Sequence, residues 1–281
     1  MLRIALLSLL ALLPGLAGAA TYLNSPEPFA WIDPATHTDV IWTEAPGAPT
    51  GECSGPFYAV DDDISQEIPL GFTFRFGTTD YTTVRIMSNG RLQFNNAYCG
   101  YGTQSVGPPP TYTYPYPDNR VDRTLRVYGT DLNPADGGTV RYAALGTAPN
   151  RMFVVTWSNV PEWDKPGSFF NLQVILREGG DFIYQFGPSN NVSGGKAQIG
   201  WELTTSDFDT ISFADIGSLA NTAIRFHLPE PQAEYRFDET SWDGTPGEVR
   251  DSSGNGLNGN ALNGARPLPA KVCNGATLDG S

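Results

Sequence analysis

IPLGFTFRFGTTDYTTVRIMSNGRLQF, residues 68–94, is the stretch on which the fold turns. Ile68, Leu70, Phe72, Phe74 and Phe76 recur at every second position, the period that sends one set of side chains to a single face of a strand. Val84 and Ile86 then alternate with Thr83 and Arg85, and Leu92 and Phe94 with Arg91 and Gln93. Asn89-Gly90 between these runs predicts a two-residue type I′ hairpin, because this pair tolerates positive φ. Three antiparallel strands therefore share one apolar face. An open meander cannot hide that face alone, so a second sheet must cover it.

Working outward, residues 20–67 read as irregular and rich in Pro and Gly. Gly100 to Asp118, with its GPPPTYTYPYP core, reads as an exposed loop, since its prolines cannot sit in a central ladder. Strands are expected at Thr124–Leu132, Thr139–Ala144 and Met152–Trp157, the last apolar enough to be buried on both faces. Phe170–Leu176 and Phe182–Phe186 flank the Gly179-Gly180 turn as a second hairpin, and shorter strands follow near Ala197–Glu202, Thr210–Phe213 and Ala223–His227. The 31 Gly, 23 Pro, 15 Phe, 12 Tyr and 6 Trp supply turns and strands but no amphipathic helix. The expectation is an all-β, antiparallel β-sandwich.

A net charge of −13 disfavours nucleic acid and anionic lipid as partners, because both require clustered Lys and Arg. Residues 1–19 read as a secretory signal peptide: Arg3, then the apolar run Ile4–Leu13, then Ala17-Gly18-Ala19. The run is too short to span a bilayer, so no transmembrane anchor is expected. The protein should be exported, to the periplasm, the outer surface or the medium. Of the three cysteines, Cys53 and Cys99 flank the meander. Pairing them closes a loop worth about 4 kcal/mol. Cys273 is left over, and the expectation is that its partner lies beyond Ser281 in a longer chain.

The sandwich domain is placed at residues 20–228 and a linker at 229–232, where Pro229 and Pro231 stiffen the chain. Residues 233–281 are too few and too polar for a core of their own.

At this point the residues resemble known families. LGFTFRFGTTDYTTVRIMSNGRLQF and GTDLNPADGGTVRYAALGTAPNRMFVVTWSNVP look like nidogen-like β-sandwich modules of bacterial surface proteins, over about residues 60–227. YRFDETSWDGTPGEVRDSSGNGLNGNALNG, followed by KVCNGATLDG with Cys273, resembles the opening of a LamG-like, concanavalin-type jelly roll that stops after its first strands. The pairing of modules is similar to MshQ-type proteins of the mannose-sensitive haemagglutinin type IV pilus system. The resemblance implies a non-enzymatic role in adhesion or pilus assembly, with pilus or cell-surface proteins as partners.

Candidate sites have competing readings. Asp61-Asp62-Asp63 offers oxygens to Ca²⁺, but the preferred reading is a solvated acidic turn before a strand. Asp131, Asn133 and Asp136 sit at a strand end, where Asp and Asn more often cap their own turn. The run Asp251-Ser-Ser-Gly-Asn-Gly is read as a turn between strands, because an EF-hand would need a Glu where Leu262 stands; the LamG resemblance keeps Asp251 as a Ca²⁺ candidate. No cofactor is otherwise expected. Tyr98, Tyr101, Tyr112, Tyr114 and Tyr116 are candidate ligand contacts, either for glycans or proteins or folded back over a sheet edge. Catalysis finds little support: His37 and His227 are isolated and no G-x-S-x-G, H-E-x-x-H or paired C-x-x-C occurs. Glu234, Asp238 and Glu239 are the carboxylates a glycosidase reading would use, with Glu234 and Asp238 on one strand face. A carbohydrate-binding module is the alternative to adhesion, and no enzyme is expected.

Overall fold

The structure is a computed structural model, and it describes residues 21–43, 53, 60–100, 121–165, 167–190, 197–214, 216–229, 233–254, 256–269 and 274–277. Chain contacts divide it into two compact units, Met1–His227 and Leu228–Ser281. The first is an antiparallel β-sandwich of two sheets. The meander of β3 (Ile68–Phe76), β4 (Thr79–Met87) and β5 (Arg91–Gln93) forms as expected, and in β3 every second residue from Ile68 to Phe76 is buried. β6 (Thr124–Gly129), β11 (Ala197–Thr204) and β12 (Asp207–Ala214) complete this sheet in the order β12-β11-β6-β5-β4-β3.

Facing it is a sheet built from β1 (Leu23–Glu27), β2 (Thr38–Asp39), β7 (Thr139–Leu145), β8 (Met152–Val160), β9 (Phe170–Arg177), β10 (Phe182–Phe186) and β13 (Thr222–His227). Its order is β1-β13-β10-β9-β8-β7-β2. Leu70, Phe74, Phe76 and Phe94 from one sheet share a buried cluster with Phe153, Trp157, Leu172 and Tyr184 from the other. Burying large apolar side chains at about 1.5–3 kcal/mol each is what holds the two layers together.

Two expectations need correction. The Asn89-Gly90 turn is not type I′: Met87 pairs with Arg91, leaving a three-residue loop in which Gly90 has a positive φ (+71°) and Asn89 does not. A Cβ at Gly90 would lie 2.8 Å from the Tyr128 carbonyl oxygen, so the close approach of β6 demands glycine. Residues 20–67 are not irregular throughout, because LNSPE forms β1 on the edge of the larger sheet. Its Asn, Ser and Pro have little strand propensity, and pairing along β13 overrides it.

The outer face of the larger sheet is also buried in part, a feature the sequence does not signal. Gln173 and Gln185 lie there at 0 % and 1 % exposure. Gln185 accepts from the Ala30 N–H (2.8 Å) and donates to the Ala30 carbonyl (2.9 Å). Gln173 does the same with Ile32, at 3.2 and 2.8 Å. Two side-chain amides thus mimic a neighbouring strand and bind residues 30–32 across the sheet.

In the second unit, β14 (Arg266–Pro269) pairs with β15 (Asn274–Thr277), and isolated bridges join Tyr235 to Asp251 and Val249 to Gly259. Residues 234–239 do not form the strand that would put Glu234 and Asp238 on one face. Among its described residues, Val249 and Ala261 are the buried apolar ones.

Candidate functional site

The acidic run begins where the chain turns before the meander. Asp63, Ile64 and Ser65 lie beside the end of β4: the Ser88 N–H donates to the Asp63 carbonyl (3.0 Å) and the Ser65 N–H to the Ile86 carbonyl (2.8 Å). Trp157 of the facing sheet donates its indole N–H to the Ser88 carbonyl (3.0 Å), tying this corner to the core. The run is therefore not a solvated turn. Asp61, Asp62 and Asp63 are 9 %, 2 % and 0 % exposed.

Their neighbours differ sharply. Asp63 is saturated, accepting from the Thr43 hydroxyl (3.0 Å) and from the N–H groups of Ile64 (2.7 Å) and Val60 (3.3 Å). It is a structural anchor rather than a ligand donor. Asp62 accepts from the Asn89 side-chain amide (2.7 Å) through Oδ1. Asp61 keeps a buried Oδ1 with no hydrogen-bond partner. The backbone just before it, at Val60, has φ +72°, unusual for a β-branched residue.

Asp131 follows β6 and enters this corner from the side. One carboxylate oxygen each from Asp61, Asp62 and Asp131 lie within 4.8 Å of one another. Burial, with the charges of Asp131 and Asp136, pushes Asp61 up to about 7. Burial and Asp131 push Asp62 up to about 7, against the hydrogen bond from Asn89. Asn133 does not join the set: its Oδ1 accepts from the Ala135 N–H (2.9 Å) and its amide donates to Asp136 (2.9 Å), the local turn use that short polar side chains favour. The cluster thus gathers loops 60–63, 88–90 and 130–136 at one end of the sandwich, the usual place for binding residues on a rigid scaffold.

Family comparison fits this architecture. The family model described as NIDO related matches residues 36–238, which takes in the acidic corner and every strand of both sheets except β1. The chain belongs to the NIDO-related family. Comparison with curated proteins and with solved structures gave no match.

Inside the NIDO-related domain, Cys53 and Cys99 are joined by a disulfide with Cα atoms 5.5 Å apart, packed with Ile64 and Met87 beside the acidic corner. Tyr98 is not an exposed contact residue. It is 5 % exposed, packs with Val121 and lies under the Arg91 guanidinium, 5.7 Å from the ring centre. Arg91 in turn donates to the Gly100 carbonyl (3.0 Å). Tyr101, Tyr112, Tyr114, Tyr116, Cys273 and the signal peptide lie outside the described residues. No helix among the described residues is long and apolar enough to cross a membrane.

Asp251 sits in an arrangement opposite to that of Asp61. Its Oδ1 accepts from the N–H groups of Glu234 (2.9 Å) and Ser253 (2.8 Å), and its Oδ2 from Leu257 (2.9 Å). Hydrogen bonds from Ser253 and Glu234 hold its carboxyl well below the usual range. It organises a turn. Glu234 pairs with Arg236 at 2.7 Å, and Glu239 accepts from the Arg250 N–H (2.8 Å). Two residues of the corner carried no sequence signal for a site. Asn89 reads only as a turn former, and Trp163, 52 % exposed, donates its backbone N–H to the Asp131 carbonyl (2.7 Å).

Proposed function

We propose that this chain is an exported, non-enzymatic surface protein acting in adhesion or in pilus assembly, as its likeness to MshQ-type proteins implies. The observation that carries the reading is a NIDO-related domain spanning residues 36–238 with a disulfide inside it. Disulfides persist in oxidising compartments outside the cytosol, and a sandwich with loops at its ends presents binding residues without requiring a catalytic centre. Residues 233–281 are read as the opening of a LamG-like domain, a reading supported by the Tyr235–Asp251 and Val249–Gly259 bridges and the β14–β15 pair.

The test is attachment of beads coated with the full chain to a cell surface. Replacing Tyr112, Tyr114 and Tyr116 together by Ser should reduce attachment several-fold and leave the melting temperature nearly unchanged. Unchanged attachment would remove the tyrosine loop from the reading, and no attachment by the wild-type chain would remove adhesion. One observation favours a second reading, glycan binding. Phe29 and Trp31 stack at 6.2 Å beside Asn159 and Asn171 in a shallow depression of about 340 Å³. Stacked rings beside amides suit a sugar face. Glycan-array signal abolished by Trp31→Ala would favour this reading over protein-mediated adhesion.

A further inference from the structure

The acidic corner contains a group that the protein itself leaves incomplete. Burying a carboxylate oxygen without a donor is costly, and burying three carboxylates together is more so unless positive charge accompanies them. The fold supplies donors selectively here. Asp63 receives three, Asp62 one from Asn89, and the Asp61 Oδ1 none. Asp61 is nevertheless nine-tenths buried and faces the carboxylates of Asp62 and Asp131.

We infer that Asp61, Asp62 and Asp131 hold a divalent cation, and that the cation is calcium. Ca²⁺ binds oxygen at about 2.3–2.6 Å, so two ligands of one ion lie no more than about 5 Å apart. The three carboxylates meet that limit at 4.8 Å. The donor set is all oxygen, which suits a hard cation and offers nothing to zinc or copper. Mg²⁺ takes one or two carboxylates in a tight octahedron, whereas three carboxylates from two separate loops suit the larger and more tolerant Ca²⁺. Asn89 fixes the Asp62 carboxylate by its Oδ1, the outer support that metal-binding carboxylates commonly have. Asp131 is half-buried, so water can complete the coordination and the ion can enter from that side. The inference is independent of adhesion: it stands or falls on these three side chains.

The probe is the metal alone, added to the full chain after treatment with chelator. Calorimetry with Ca²⁺ and tryptophan-sensitised Tb³⁺ luminescence should each show one saturable site, and Ca²⁺ should raise the melting temperature by several degrees. Asp61→Asn and Asp131→Asn should each weaken binding at least tenfold. Asp251→Asn should leave binding unchanged. The isosteric Asp61→Asn chain is expected to melt in chelator at or above the wild-type temperature, which separates lost binding from lost folding. Absence of saturable binding, binding that survives both Asp61→Asn and Asp131→Asn, or loss only with Asp251→Asn would overturn the site. Mg²⁺ binding as tightly as Ca²⁺ would overturn the choice of ion.

Discussion

In the turn before β3, Asp61 keeps a buried oxygen that no donor meets, whereas in the second unit Asp251 is met by three main-chain N–H groups. Both lie in short acidic, turn-forming runs. The sandwich owes its stability to two apolar layers, so it can carry an electrostatically costly corner. The second unit buries little apolar surface among its described residues and uses carboxylates as its framework. Glu248 accepts from Asp243 and Gly244, Asp243 from Thr245, and Asp251 from Glu234, Ser253 and Leu257. What separates a cation-ready carboxylate from a turn organiser is therefore its supply of N–H donors.

The sharpest way to break this contrast is at Asp63. Asp63→Ala leaves the Thr43 hydroxyl and the Ile64 and Val60 N–H groups without their acceptor, and should cost about 2–4 kcal/mol in urea unfolding. A loss under about 1 kcal/mol would mean that the buried turn is held by something else.

Next comes Asp251→Ala. Amide exchange at Glu234, Ser253 and Leu257 should rise roughly tenfold or more, with the amides of β8 and β9 unchanged. Uniform acceleration across both sheets would contradict the local role assigned to Asp251.

The two turns should also differ in pH dependence, responding with opposite sign. Asp61 and Asp62 are raised to about 7 in the fold, so folding takes up protons there. In chelator, with Asp131, Asp136 and Arg91 as the neighbouring charges, stability should rise as pH falls from 8 towards 5. Calcium should flatten that slope. Asp251 is lowered, so its contribution is present above the unfolded carboxylate pKa of about 4 and fades as pH falls through its folded value. Melting curves at stepped pH, with and without calcium, resolve the first trend. A chelated chain that loses stability steadily from pH 8 to 5 would refute it.

Much of this architecture was legible because period-two alternation is a local signal. Ile68 to Phe76 announce a strand, and the need for a facing sheet follows from one apolar face. The failures have physical causes. β1 was hidden because Asn24, Ser25 and Pro26 pair through backbone groups that sequence does not display. Gln173 and Gln185 carry no sequence signal for burial, because their amides are satisfied by the distant backbone of Ala30 and Ile32. The hairpin loop is longer than Asn-Gly suggests, because this pair fits more than one loop and packing of Gly90 against Tyr128 selects among them. The acidic corner lies in two separate pieces of sequence, Asp61–Asp63 and Asp131. Only the fold brings them together, and only hydrogen-bond partners show that Asp63 and Asn133 stand outside the set.

The proline in β1 has a consequence for how copies of this protein meet. An open sheet edge is a template on which a second chain can lay its own strand. Here the pairing with β13 continues across Pro26, opposite Ile224, so the donor that proline lacks falls on the open side. A molecule approaching along that edge finds a gap in the row of N–H groups it would need. The outermost strand of the larger sheet thus resists edge-to-edge growth into fibres.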